Sequence, residues 1–307
     1  MTENRPRLND YWISYKTPAI QDLQLPGTDQ AKLKLLIRRE DQNHPFLSGN
    51  KWWKLKYNLR EALQQNHHTI LTFGGAYSNH IYAVAATCQL LRLKSIGIIR
   101  GEEIQPLNST LSFARKCGMH LEFISRSDYR LKKEVPFLQS LQEKFGNCFI
   151  VPEGGTNDLA VRGCEELGKL LLDIDFDYLC LPVGTGGTIA GIIKAFDGER
   201  KIIGIPVLKN AGFLKEEIQN YLPRDSGNWQ LMLDYHFGGY AKTSQALEKF
   251  MGQIRQSGIP TEHVYSGKLF WAVADMARKG FFEENKTVMV LHTGGLRNFE
   301  QIPSSHG

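Results

Sequence analysis

The sequence predicts an α/β fold with two open, mostly parallel sheets flanked by helices, arranged as two lobes that face one cleft. Short apolar and β-branched runs alternate with amphipathic helical patterns along most of the chain. This alternation favours parallel strands joined by right-handed crossover connections. Several runs end in glycine-rich turns that open helices, which favours ligand sites at the carboxyl edges of open sheets over a closed barrel.

The predicted elements follow in chain order after an apolar run at 32–37. Strands are predicted at 69–73, 95–99, 121–124, 148–151, 178–183, 202–207 and 287–291. Helices are predicted between them at 79–91, 107–117, 135–145 and 158–172, with a later helical pattern at 269–276. The spacing therefore predicts strand and helix in alternation, with closely packed lobes and no long linker.

Composition excludes several classes of protein. Hydrophobic content of 42% and charged content of 22% over 307 residues are those of an ordinary globular chain. A net charge of +5, spread among acidic residues, does not indicate a nucleic-acid or membrane partner. The five cysteines form no Cys-x-x-Cys pair, so we expect reduced core residues and no metal site. The polar first ten residues contain no apolar leader, and the expected location is cytoplasmic.

Lys51 stands where a glycine-bearing turn runs into a helix, in the segment Ser-Gly-Asn-Lys-Trp-Trp-Lys. An amine nucleophile at neutral pH must be desolvated or placed beside another cation. Trp52, Trp53 and Lys54 could provide both. Most lysines are solvated surface residues, so the interpretation depends on the rest of the chain.

The segment Gly-Thr-Gly-Gly-Thr at 184–188 ends a buried strand pattern and enters a helix. Free N–H groups, the helix dipole and threonine hydroxyls predict a phosphate site there. Ile189 occupies the place of the third glycine of the dinucleotide fingerprint, and no Lys-Ser/Thr pair follows, so a mononucleotide-like phosphate fits best. The alternative is a tight turn without a ligand.

Two further strand-to-helix junctions carry small polar residues. Ser78, Asn79 and His80 follow Gly74-Gly75, and a carboxylate at this helix start would receive N–H groups, a hydroxyl and an amide. A simple N-cap at Ser78 or Asn79 is the alternative. The segment Glu-Gly-Gly-Thr-Asn at 153–157 has the same form, with a capped turn at least as well supported as a site.

Two segments near the end of the chain complete the set. Tyr265-Ser266-Gly267-Lys268 precedes a helical pattern, and a cleft tyrosine near a cation can act as acid or base. Thr293 lies in His-Thr-Gly-Gly after the last predicted strand, again at a sheet edge.

In this order and spacing, these motifs resemble those of pyridoxal-phosphate enzymes with the tryptophan-synthase-β fold (fold type II). Within that fold the chain is similar to D-cysteine desulfhydrases and 1-aminocyclopropane-1-carboxylate (ACC) deaminases. The resemblance implies that pyridoxal 5'-phosphate lies between a large cofactor-binding domain, 1–51 and 153–307, and a small domain, 52–152. It also implies a homodimer.

The resemblance implies a role for each motif residue. Lys51 would hold the cofactor as a Schiff base and move the α-proton, with Tyr265 and Ser78 as the other catalytic residues. The expected cofactor-binding residues are Lys51, Lys54, Asn79, Thr185, Gly186, Gly187, Thr188, Ser266 and Thr293. The expected substrate-binding residues are Ser78, Asn79, His80, Tyr240 and Tyr265.

Ser266 is the discriminating position. ACC deaminases carry glutamate after the tyrosine, facing the pyridine nitrogen, whereas D-cysteine desulfhydrases carry threonine. A hydroxyl supports a weaker electron sink, which suffices to expel a good leaving group from Cβ. The resemblance therefore favours β-elimination from D-cysteine, giving pyruvate, sulfide and ammonia.

Three departures and several alternatives stay open. Tyr77, Trp52 and Trp53 replace the family's usual residues, and we expect them to crowd the substrate side of the pocket. ACC deamination to 2-oxobutyrate is the first alternative. A pyridoxal-phosphate-binding protein without turnover is the second, and an unrelated anion-binding protein is the third. The sequence leaves open which enantiomer is used, and whether Tyr265 or Lys51 makes the critical proton transfer.

Overall fold

The computed structural model describes residues 14–224 and 227–303. The strands in this part of the chain are β1 Ile20–Asp22, β2 Lys34–Arg38, β3 Thr69–Gly74, β4 Lys94–Arg100, β5 His120–Ile124, β6 Phe149–Val151, β7 Tyr178–Val183, β8 Lys201–Pro206, β9 Trp229–Leu231 and β10 Thr287–Leu291. The α-helices are α1 Asn50–Gln64, α2 Asn79–Leu90, α3 Ser109–Lys116, α4 Val135–Phe145, α5 Asp158–Leu172, α6 Gly187–Phe196, α7 Leu214–Gln219, α8 Gln245–Gln256 and α9 Ser266–Arg278.

The strands form a six-stranded sheet in the order β1-β2-β10-β7-β8-β9 and a four-stranded sheet in the order β5-β4-β3-β6. All pairs in the smaller sheet are parallel, and in the larger one only β1 pairs antiparallel with its neighbour. Every residue of β7 is buried, as expected for a strand covered by helices on both faces. The predicted class, two open and mostly parallel sheets flanked by helices, is confirmed.

Element boundaries agree with the pattern where local signals are strong. The predicted bounds of β7, β10, α4 and α5 coincide with the observed ones. Helix α3 begins two residues later than predicted, because the side chain of Asn108 accepts the N–H of Leu111 and caps the helix. The sequence patterns missed β1 and β9, which are three-residue strands at the edges of the large sheet and contain no buried residue.

The two sheets are joined by helices that pack closely. In α5, Gly163 lies against the backbone carbonyl of Trp53 in α1, where a Cβ could not fit. Such backbone approach requires glycine. All five cysteines are buried with free thiols. We call the larger sheet with its helices the large lobe and the smaller sheet with its helices the small lobe.

The domain boundaries stay a proposal. Described strands of the large lobe lie within 20–38 and 178–291, and those of the small lobe lie within 69–151, which supports a division near residues 51 and 153. Residues 1–13, 225–226 and 304–307 of the proposed large domain lie outside the described residues. No helix in the described part of the chain is long and apolar enough to cross a membrane.

Candidate active site

A cavity of about 260 Å³ opens between the lobes at the carboxyl ends of strands from both sheets. Residues from the turns after β3, β6, β7 and β10 line it, together with the first residues of α1. Of the residues predicted from the sequence, those lining the cavity are Lys51, Lys54, Ser78, Asn79, His80, Thr185, Gly186, Gly187, Thr188, Tyr240, Tyr265 and Thr293. Ser266 is not among the residues that line it.

Lys51 lies in the first turn of α1, directly after Gly49 and Asn50. The turn is fixed to the end of β10 because the N–H of Asn50 donates to the carbonyl of Thr293 at 3.1 Å. The Asn50 amide also donates to Thr188 Oγ1 at 2.8 Å. Burial lowers the pKa of the Lys51 amine to about 8, so a substantial neutral fraction exists near physiological pH.

The aromatic neighbours of Lys51 face away from the cavity. Trp52 and Trp53 pack against the ring of Tyr15, each with ring centroids 4.9 Å apart, and Trp53 Nε1 donates to Glu40 Oε2 at 3.0 Å. Tyr77 is 62% exposed and also does not line the cavity. The expectation that these three residues crowd the substrate side was wrong. Trp52 and Trp53 pack against Tyr15 on another side of α1, and Tyr77 is exposed to solvent.

Lys54 lies one helical turn after Lys51 and joins three junctions. Its ammonium donates to the carbonyl of Gly154 at 2.7 Å, to Thr156 Oγ1 at 2.7 Å and to Thr185 Oγ1 at 3.2 Å. The two threonine hydroxyls are 2.5 Å apart. Burial, and then the charge of Lys51, lower the pKa of Lys54 to about 7. A buried cation with hydroxyls beside the start of α6 is suited to bind a phosphate dianion.

The junction at 153–157 therefore contributes directly to this phosphate cradle, formed by Lys54, Thr156 and Thr185. Its sequence supported a capped turn at least as well as a site. Asn157 does cap α5, accepting the N–H of Ala160 at 2.9 Å, so both interpretations hold for neighbouring residues. The repeated strand–Gly-Gly–hydroxyl pattern was the available signal for Thr156.

The start of α2 presents unpaired polar atoms to the cavity. Ser78 Oγ accepts the N–H groups of His80 and Ile81, so it acts as the N-cap. Asn79 Oδ1 and His80 Nδ1 are buried and have no hydrogen-bond partner among the described residues. His80 Nε2 bonds to Thr72 Oγ1 at 2.8 Å, and burial holds the pKa of the imidazole well below its ordinary value. Buried polar atoms without partners indicate a ligand that satisfies them.

Two tyrosines form the opposite wall. The rings of Tyr240 and Tyr265 meet edge to face with centroids 6.2 Å apart, and their hydroxyls are hydrogen-bonded. Burial raises the pKa of Tyr265 well above its ordinary value, so its hydroxyl keeps its proton near neutral pH. Lys268 is fully buried and donates to the carbonyl of Gly239 at 2.7 Å, which fixes the loop that carries Tyr240.

Ser266 is the first residue of α9, and its side chain bonds to Glu262 instead of lining the cavity. Its hydroxyl accepts the N–H of Glu262 at 2.9 Å and lies 3.3 Å from Glu262 Oε1. The carboxylate of Glu262 also accepts the N–H groups of Val264, Tyr265 and Ser266. The assignment of Ser266 as a cofactor-binding residue stays a prediction.

Three charged residues in the cavity were not predicted from the sequence. Glu153 accepts a hydrogen bond from the Tyr129 hydroxyl at 2.8 Å. Arg100 is the last residue of β4, and Arg297 lies in the segment after β10. These arginines belong to no motif, and only the fold brings them to the cleft.

Comparison with known proteins decides the family. The family model described as pyridoxal-phosphate dependent enzyme matches residues 14–294. The chain belongs to this family. It is an enzyme family, and its cofactor is pyridoxal 5'-phosphate.

The individual relatives share less than 30% sequence identity with this chain. A bifunctional D-cysteine desulfhydrase/1-aminocyclopropane-1-carboxylate deaminase, mitochondrial, of Arabidopsis thaliana is 29% identical, over 92% of this chain and 77% of that protein. A 1-aminocyclopropane-1-carboxylate deaminase of Rhizobium leguminosarum bv. viciae is 26% identical, over 93% of each. A crystal structure of an ACC deaminase homologue superposes with a TM-score of 0.79 at 24% identity, over 92% of this chain and 90% of that one.

The residues present fit pyridoxal phosphate. Lys54, Thr156 and Thr185 offer donors to the phosphate, and Lys51 offers an amine with a depressed pKa. Asn79 Oδ1, which has no hydrogen-bond partner among the described residues, offers a polar atom to the pyridine ring of the cofactor. When bound, the cofactor joins covalently to an amine and draws electrons from the substrate α-carbon.

The buried lysines predict how stability depends on pH in cofactor-free protein. The folded-state pKa of Lys54, about 7, lies below that of an unfolded lysine, so between these values the unfolded state binds more protons. Stability therefore rises with pH in that window. Methionine cannot bind a proton, so Lys54→Met should lack this contribution. We expect the difference in free energy of unfolding, wild type minus Lys54→Met, to rise by about 1 to 2 kcal/mol between pH 7 and 8.5.

Urea unfolding at several pH values in this window measures the effect. The exposed Lys116, changed to methionine in the same way, serves as the control and should leave the wild-type profile unchanged. Parallel profiles for wild type and Lys54→Met would show that Lys54 is not depressed in the folded state.

Proposed function

We propose that this enzyme is a pyridoxal-phosphate-dependent lyase or deaminase of a small amino acid, and that its preferred reaction is β-elimination from D-cysteine. The observation that carries the preference is the charge of the cavity wall. Glu153 is the single carboxylate among the described residues that line it, and it is engaged by Tyr129 and Lys132. A site without a free carboxylate supports a weaker electron sink, which favours loss of a good leaving group over opening of a cyclopropane ring.

In this proposal each wall has a task. The start of α2, with Ser78, Asn79 and His80, receives the substrate α-carboxylate. The Lys51 amine binds the cofactor and accepts the α-proton, since its pKa of about 8 leaves part of it neutral. The protonated Tyr265 hydroxyl donates toward the departing group, because its raised pKa makes it an acid and not a base.

ACC deamination is the second candidate. The name of the Rhizobium relative favours it, whereas the name of the Arabidopsis relative covers both reactions. Both reactions begin with the same cofactor and the same lysine, so cofactor binding alone does not separate them. A protein that binds the cofactor without turnover is the third. A homodimer and a cytoplasmic location stay predictions, and light scattering after size-exclusion chromatography tests the first.

A product screen of the purified protein separates these candidates. D-cysteine, L-cysteine, D-serine, β-chloro-D-alanine and ACC are supplied in turn, and sulfide, pyruvate, 2-oxobutyrate and cofactor absorbance are followed. We expect kcat/KM for sulfide release from D-cysteine to exceed that for 2-oxobutyrate from ACC by about tenfold or more, a difference of about 1.4 kcal/mol in barrier. Faster 2-oxobutyrate release would promote ACC deamination. A cofactor band that no substrate changes would favour the non-catalytic alternative.

A further inference from the structure

Arg297 reaches across the cleft from the large lobe to the small one. It follows β10, lines the cavity, and its Nη1 donates to the carbonyl of Tyr77 at 3.4 Å and to the hydroxyl of Thr110. Tyr77 immediately precedes the Ser78 cap, so the guanidinium lies beside the proposed carboxylate site. Phe299 packs against it, 5.4 Å from ring centroid to Cζ.

The remaining donors of this guanidinium are available. Arginine carries five N–H donors, and in the described part of the chain Nε and Nη2 of Arg297 make no hydrogen bond. Half-burial lowers the pKa of Arg297, but arginine remains charged at any physiological pH. A half-buried cation with unused donors at the wall of a cavity favours an anionic ligand.

In the part of the chain that the structure describes, four cationic side chains line the cavity, Lys51, Lys54, Arg100 and Arg297, against one carboxylate, Glu153. Lys54 bonds to the hydroxyls of the phosphate cradle, and Lys51 is assigned to the cofactor. Arg100 lies near Gly75 and Arg297 bonds to the carbonyl of Tyr77, so both arginines reach the turn before α2. Glu262 lies close by, but its oxygens accept three backbone N–H groups, so that anion is already stabilised. Among the described residues, Arg297 has no carboxylate partner at hydrogen-bonding distance.

We propose that Arg297 binds an anionic group on the substrate Cβ, so that the site selects amino acids whose β-substituent is a thiolate, phosphate or sulfonate. This inference rests on the proposed function and names its substrate class. A guanidinium would hold such a group in the ground state and stabilise the charge that builds as it departs. ACC has no such group, so Arg297 adds nothing to its binding.

The reaction balances without a further redox partner. Lys51 takes the α-proton, and the electron pair left on Cα forms a double bond to Cβ. The bond from Cβ to the substituent breaks at the same time, and its electron pair leaves with the substituent. The released three-carbon enamine takes a proton at Cβ and becomes an imine. Water then hydrolyses the imine to pyruvate and ammonium.

Two substrates with different β-substituents test the role of Arg297. O-phospho-D-serine carries a dianionic group, whereas β-chloro-D-alanine carries a neutral one of high leaving ability. We expect Arg297→Met to lower kcat/KM for O-phospho-D-serine about tenfold to a hundredfold, the usual effect of losing a charged hydrogen bond. The value for β-chloro-D-alanine should change by less than about threefold. Arg297→Lys should recover part of the loss.

Arg115→Met is the matched control, since Arg115 is an exposed arginine of α3 paired with Glu103 outside the cavity. It should leave both substrates unaffected. An equal loss on both substrates in Arg297→Met would show that Arg297 serves the α-carboxylate that they share or ties the lobes together, and either role would overturn the inference. No loss on O-phospho-D-serine would also overturn it.

A binding readout separates this inference from the proposed function. Titration of the cofactor absorbance gives a Kd for O-phospho-D-serine and for D-alanine without any need for turnover. If wild type releases pyruvate from neither O-phospho-D-serine nor β-chloro-D-alanine, the β-elimination proposal fails. Selective weakening of O-phospho-D-serine binding in Arg297→Met would still support the anion site, and an unchanged Kd would overturn it.

Discussion

Changing Lys51 to alanine is expected to abolish the lysine-linked absorbance of the cofactor and to lower turnover by at least about a thousandfold. The amine is the nucleophile for the cofactor and the proposed acceptor of the α-proton, so one change removes both tasks. Its depressed pKa shows that the fold already disfavours the protonated form. Absorbance spectra, and peptide mapping after borohydride reduction, measure the first effect, and pyruvate release measures the second.

The exposed Lys116 provides the control, because its replacement by alanine should leave spectrum and turnover intact. Cofactor that remains reducible onto Lys51→Ala protein would assign the linkage to another lysine. Lys54 would then be the first to examine, since it is the other lysine among the described residues that line the cavity, and it is buried.

Gly49→Ala is expected to lower the free energy of unfolding by about 3 to 5 kcal/mol. Gly49 has φ 73° and ψ −144°, a conformation that L side chains rarely adopt. An added Cβ would also fall far closer to the carbonyl of Thr293 than the 3.0 Å that real Cβ atoms keep. The substitution should therefore push apart the turn before Lys51 and the segment after β10. Urea unfolding measures the loss.

Gly146→Ala separates the two causes. Gly146 has nearly the same backbone conformation, φ 75° and ψ −153°, but an added Cβ meets no atom within 4 Å. We expect this control to cost about 1 to 3 kcal/mol, from backbone strain alone. Similar losses for the two variants would mean that the contact with Thr293 relaxes without cost.

The fold and most of the cavity could be predicted because their signals are local. The phosphate site predicted at 184–188 depends on glycines and hydroxyls within that segment, and the segment directly follows a predicted parallel strand. The same holds for Ser78 and Asn79 at the start of α2. Their shared cavity follows from the rule that parallel strands present their carboxyl ends at one edge.

The remaining features depend on side-chain direction and distant contacts. Trp53 was assigned to the pocket from adjacency in sequence, but Tyr15 and Glu40 hold it on the other side of α1. Arg297 was overlooked because its partners, Tyr77 and Thr110, lie far away in the chain. Sequence periodicity carries no information about such pairings.

The position of β10 has a consequence for the order in which the protein forms. In the large sheet β2 contacts β7 only through β10, which is the last strand of the described chain. Because synthesis proceeds from the amino end, the small sheet can pair long before β2 meets β10. Closing so long a loop is also slow. Lys51 is thus synthesised early, but its pocket can form only after Thr293 and the rest of the last segment have been synthesised.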